Sequence, residues 1–106
     1  QTCALPIFAD YCGIAGKTDM DKVENLLKAI EELQNTVNAP KSIKEHFETR
    51  PQGGPSEAEF LELVPLMAVE AFDDQCTGAS PRYPTIPELE AIYKASYYGK
   101  DWVIGE

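Results

Sequence analysis

The stretch TDMDKVENLLKAIEELQNTV, residues 18–37, decides the fold class. Val23, Leu26, Leu27, Ile30, Leu33 and Val37 fall on one face of a 3.6-residue period. Thr18 supplies an N-cap oxygen, and Asp19 and Asp21 place negative charge on the first turn, where the helix dipole favours it. Glu24 and Lys28 stand in the favourable order for an ion pair one turn apart. Asn38 tolerates the left-handed conformation that ends a helix, and Pro40 forbids its continuation. The pattern predicts a surface helix with one buried stripe, and the stripe reads as core rather than as a cofactor contact.

Working outward, Ser56 and Glu59 form an S-x-x-E capping box ahead of a second stripe: Phe60, Leu63, Val64, Met67, Ala68, Ala71 and Phe72. Pro65 interrupts that pattern. Inside a helix it deletes the bond to the Leu61 carbonyl and crowds it, at a cost of about 3 kcal/mol unless the helix bends. The stripe resumes in phase beyond it, so a kink is expected within residues 61–65, not a break. A third helix is expected over residues 86–98. Thr85 and Glu88 form another capping box, Pro87 fits the first turn, and Gly99 is the stop. Residues 7–12 read as the tail of a helix closed by Gly13, residues 1–6 carry no usable period, and residues 42–47 read as one short helical turn. Residues 48–55, with Pro51, Gly53, Gly54 and Pro55, read as a solvated loop. Too little chain flanks that loop to give two independent cores. Residues 100–106 form a tail with Trp102 as its anchor. No strand pattern appears, so the expected class is all-α, about four helices with irregular loops.

Composition sets the outer limits. The chain has 106 residues, 43% hydrophobic and 25% charged, which suits one modest domain. Its formal charge is −9, from 18 acidic against 9 basic residues. That surface repels a phosphate backbone and an anionic leaflet, so neither nucleic acid nor membrane is an expected partner. No run approaches the roughly 20 apolar residues of a spanning helix, and no signal peptide opens the chain. The first residue is Gln1, not Met, as in an incomplete translation product. Cys3, Cys12 and Cys76 make no C-x-x-C pair and leave an odd thiol, which reads as reduced cysteines of a cytoplasmic protein. His46 is the one histidine, and one imidazole does not build a transition-metal site or a Cys–His catalytic pair.

The run FDDQCTGASPRYP, residues 72–84, is not explained by helix packing. Asp73 and Asp74 sit near a helix C-terminus, where the dipole disfavours them, so specific partners are expected: the amides near Cys76, Thr77 and Gly78, and the guanidinium of Arg82. As a structural corner, Asp73, Asp74 and Arg82 would clamp a turn fixed by Pro81 and Pro84. As a functional element, the corner would form one wall of a cleft. Cys76 has no histidine beside it, and the aspartates raise its pKa, so it reads as a pocket-lining or buried thiol and not as a nucleophile.

That run and its continuation, FDDQCTGASPRYPTIPELEAIYKASYYGKDW, resemble the C-terminal end of the iron-dependent alcohol dehydrogenase domain, above all in its bifunctional aldehyde–alcohol branch. The family wording has Asn-Pro-Arg where this chain has Ser80, Pro81 and Arg82. Pro40–Lys41–Ser42–Ile43, the helix before it, and residues 8–13 match in order and spacing, so the resemblance covers residues 8–106. Residues 1–7 stand apart as an atypical N-terminal end. Residues 45–55 are longer and richer in proline and glycine than the family pattern.

The resemblance implies an all-helical C-terminal part of a two-part enzyme. The other part would bind NAD, with Fe(II) held between them by ligands that do not map onto this chain. In such an enzyme the metal would supply Lewis-acid polarisation of the aldehyde oxygen, and the nicotinamide would exchange the hydride. By the same resemblance Cys76, Thr77 and Gly78 form the substrate-pocket wall. This segment alone would carry no catalytic, NAD-binding or metal residue. Its expected partners are the remainder of its own domain and further copies in a homo-oligomer, filaments included. A free-standing acidic helical module that grips a protein partner is the competing reading. It accounts for the charge but leaves the Asp73–Arg82 corner without a purpose.

Overall fold

The structure, a computed structural model, describes residues 4–100. All regular structure among them is helical: α1 (Ala4–Tyr11), α2 (Asp19–Thr36), α3 (Ile43–Thr49), α4 (Glu57–Asp73) and α5 (Ile86–Tyr98), with a 3-10 turn at Thr77–Ala79. The described helices number five where about four were expected, because residues 43–49 extend past a single turn. The chain separates into two compact units, one ending at Ala39 and one beginning at Pro40.

In the first unit α1 packs on α2. Helix α1 begins at Ala4, three residues before the sequence signal at Ile7. Pro6 hides that start, yet it lies in the first turn, where its missing N–H would have had no helical partner. Thr18 and Asp21 form a full capping box on α2. At the other end Asn38 takes φ +53°, and its N–H and that of Ala39 reach the carbonyls of Asn35 and Gln34, closing a Schellman motif. The ion pair Lys22–Asp10, 2.7 Å, ties the helices, and Asn25 donates to the Ala15 carbonyl in the loop between them.

The buried stripe expected on α2 is only partly buried. Leu26 is 3% exposed, whereas Leu27, Leu33 and Val37 are 57%, 61% and 62% exposed. The cause is length. Eight residues of α1 span about 12 Å and eighteen of α2 about 27 Å, so α1 covers no more than half of the stripe.

In the second unit α5 packs on α4 and on α3. Its core is Phe60, Val64 and Tyr97, flanked by Ile43, Phe47, Leu61, Met67 and Tyr93. The Phe60 and Tyr97 rings stack at 4.4 Å, and the Phe47 ring meets Phe60 edge-on. Helix α4 runs through Pro65 without a break, with Pro65 on its exposed side. The loop before α4 lies against Phe47 at Gly54, where an added Cβ would stand 2.4 Å from the ring. The Glu57 carboxylate accepts the Tyr98 hydroxyl at 2.7 Å and the Lys44 ammonium at 3.2 Å, so one side chain of α4 holds both α3 and α5. Gly99, at φ +66°, stops α5 as its sequence predicts. Trp102 and Cys3 lie outside the described residues.

Replacing Phe60 removes one face of the aromatic stack. Phe60→Ala is expected to cost about 3–5 kcal/mol and Phe60→Leu clearly less, measured as the shift in the denaturant midpoint of the transition that reports Tyr97.

Candidate functional site

The run over residues 72–84 forms a tight corner between α4 and α5. The last carbonyls of α4 have no helical donors, and the dipole there is negative. Two short-range bonds build the turn that follows. The Asp74 carboxylate accepts the Cys76 N–H at 2.7 Å, and the Thr77 N–H reaches the Asp74 carbonyl at 3.0 Å. The Thr77 hydroxyl turns inward and donates to the Ala71 carbonyl in the last turn of α4. Ala79 and Ser80 then donate to Cys76 and Thr77, which makes the 3-10 turn. The Ser80 hydroxyl donates to the Arg82 carbonyl at 2.8 Å, and the Phe72 ring meets Tyr83 edge-on at 5.4 Å. The corner is thus held at its start, middle and exit.

Arg82 does not clamp back onto Asp73 or Asp74. Its guanidinium pairs with Glu88 in the first turn of α5. The physical reason is preorganisation. Asp74 is already occupied by the Cys76 amide, whereas Glu88 is fixed by its capping box, accepting the Thr85 N–H at 2.8 Å and the Thr85 hydroxyl at 3.0 Å. The Thr85 amide, then the Arg82 guanidinium, then the Thr85 hydroxyl hold the Glu88 carboxyl at about 2. The capping box is legible in the sequence; its use as the arginine's partner is not, because the pattern does not show which carboxylate is already oriented when Arg82 arrives.

Cys76 is exposed, as is Gly78, while Thr77 is half-buried. Of the two placements expected for Cys76, pocket-lining or buried, burial does not hold, because the 3-10 turn leaves the residue exposed. Its hydrogen bond with Asp74, with that carboxylate's charge next, raises the thiol pKa, so it is protonated at neutral pH. Beside the corner lies an open groove lined by Met67, Glu70, Ala71, Asp74, Thr77 and Tyr93. It takes in Thr77 but neither Cys76 nor Gly78. A second depression gathers His46 with Lys41, Lys100, Ser42 and Ser96. It holds one imidazole and no carboxylate, which is not a metal donor set. Among the described residues no three His, Cys, Asp or Glu side chains converge as a metal site.

No known family profile matches the chain. Individual proteins do. A bifunctional aldehyde-alcohol dehydrogenase of Escherichia coli (strain K12) is 45% identical over 92% of this chain and 10% of its own length. An aldehyde-alcohol dehydrogenase of Clostridium acetobutylicum is 39% identical over 80% of the chain and 9% of its own. An NADPH-dependent butanol dehydrogenase of Clostridium saccharobutylicum is 31% identical over 88% of the chain and 22% of its own. The chain therefore spans about a tenth of the length of the first two and matches the C-terminal region of such enzymes.

The corner makes a pH prediction. A carboxyl held at about 2 against an ordinary 4.5 adds stability that is complete above 4.5 and is lost as pH falls toward 2. Glu88→Gln is expected to lower stability at pH 7 and to converge with the parent near pH 2, measured by denaturant unfolding across that range.

Proposed function

Because the chain is homologous over nearly its whole length to the C-terminal region of bifunctional aldehyde–alcohol dehydrogenases, we propose that it is the C-terminal helical part of an NAD-linked, iron-dependent alcohol dehydrogenase of the cytoplasm, interconverting aldehydes and alcohols by hydride transfer. In this reading residues 8–106 complete a larger domain and are inactive alone.

The observation that carries the reading is the uncovered apolar surface. On α2 Leu27, Ile30, Leu33 and Val37 lie open, and on α1 so do Ile7, Phe8 and Tyr11. Burying one Leu, Ile, Val or Phe side chain is worth about 1.5–3 kcal/mol. At roughly half exposure each, four such residues on α2 together forfeit about 3–6 kcal/mol, a sizeable share of the roughly 5–15 kcal/mol that stabilises a small domain. A contiguous apolar face of this kind calls for a covering surface. In relatives about ten times as long, the remainder of the same domain would supply one.

The donor set here does not fit iron. His46 has no second imidazole among the described residues, and the Asp74 and Glu88 carboxylates are already engaged by the Cys76 amide and by Thr85 and Arg82. The metal and the dinucleotide would be held by other parts of the enzyme. What this chain's residues offer is a wall. A protonated Cys76 thiol and the bare backbone of Gly78 are small and uncharged, and such a surface excludes water without taking up a proton.

The test is complementation. An Escherichia coli aldehyde–alcohol dehydrogenase truncated just before the matching region is co-expressed with this chain. NAD-linked alcohol oxidation is expected only with both pieces present, and Leu33→Asp with Val37→Asp in this chain is expected to abolish it. Alcohol oxidation by the chain alone, or none with both pieces present and soluble, would contradict the proposal.

A further inference from the structure

Within the corner, Thr77 is the residue whose position and exposure disagree. It lies between two exposed residues, Cys76 and Gly78, yet its hydroxyl is directed into the protein. Its acceptor, the Ala71 carbonyl, is one of the end carbonyls of α4 that the helix leaves without a donor. Its N–H is bonded to Asp74, and its carbonyl accepts the Ser80 N–H. All three polar groups of Thr77 are thus engaged inside the corner, and the hydroxyl bond alone joins the 3-10 turn to the body of α4 through a side chain. Gly78 shows the opposite. A Cβ added there meets nothing within 4 Å, and its backbone conformation does not require glycine.

We propose that Thr77 is a positioning residue: its hydroxyl, bonded to the Ala71 carbonyl, pins the 3-10 turn to α4 and so sets where Cys76 and Gly78 stand in the reaction cleft. The inference rests on the reading that this corner faces that cleft, and it gives the three consecutive residues different tasks. Cys76 and Gly78 present surface, while Thr77 holds them. Serine keeps the bond and valine keeps the shape without it, so the two variants separate the hydroxyl from the packing. The bond also keeps Asp74 next to Cys76, because Thr77 N–H and Cys76 N–H both converge on Asp74.

The experiment uses the complete enzyme that carries this segment, with two readouts: steady-state alcohol oxidation, and the alkylation rate of the Cys76 peptide by iodoacetamide, followed by mass spectrometry. Thr77→Val is expected to lower kcat/KM two- to tenfold, the range that one net hydrogen bond of about 0.5–1.4 kcal/mol supports. It is also expected to speed Cys76 alkylation, because the loosened turn draws the thiol away from the Asp74 carboxylate. Thr77→Ser is expected to match the parent in both. A Thr77→Val enzyme that matches the parent in alkylation and in kcat/KM, or a Thr77→Ser enzyme as impaired as Thr77→Val, overturns the inference. Gly78→Val tests the cleft reading separately, since it meets nothing within this chain. If Gly78→Val leaves KM and kcat unchanged, the corner does not face the cleft, whatever Thr77 does.

Discussion

An eighteen-residue helix carries an apolar stripe along its full length, and an eight-residue helix is what covers it. The remaining Ile30, Leu33 and Val37 face outward on the same side as the buried Leu26. The caps at both ends of α2 are complete, so the helix is well specified along its whole length. Its stripe is that of a helix covered along its whole length on one side, and among the described residues α1 covers about half of it. That mismatch, more than any side-chain cluster, is what the proposed larger enzyme would resolve.

The second unit is better sealed. The Phe60–Tyr97 stack joins α4 to α5, Phe47 of α3 closes it from one edge, and Glu57 ties the same three helices at the surface. The two ends of that helix pair are built differently. Where α4 ends, the polar groups of Asp74 and Thr77 turn inward on the backbone; where α5 begins, Glu88 gathers Thr85 and Arg82. Between these anchored ends the backbone brings Cys76 and Gly78 to the surface. The result is a rigid frame with small neutral groups at its face, which is what the proposed cleft wall would require.

How far the sequence reveals this depends on range. The helices are legible because periodicity and capping are local: the boxes at Ser56 with Glu59 and Thr85 with Glu88 fall where expected, and the Gly99 stop likewise. The start of α1 is concealed by Pro6, whose tolerance in a first turn leaves no periodic trace. The Asp74–Cys76 contact is legible for the same local reason. The partner of Arg82 is not, because several carboxylates lie near it in sequence and the choice falls to the one that a cap has already oriented. The Lys44–Glu57–Tyr98 link is also invisible, since it joins residues 13 and 41 positions apart. The exposure of the α2 stripe cannot be read from the pattern at all, since a stripe records that a partner exists and not whether the chain in hand contains it.

Amide hydrogen exchange over residues 27–37 measures that missing partner most directly. The rates are compared between the 106-residue chain and the complete enzyme, each under native conditions. Strong slowing of these amides in the complete enzyme, with fast exchange in the isolated chain, is the predicted result. Equal protection in both would mean that α2 needs no cover beyond α1, and the uncovered stripe would cease to point to a larger enzyme.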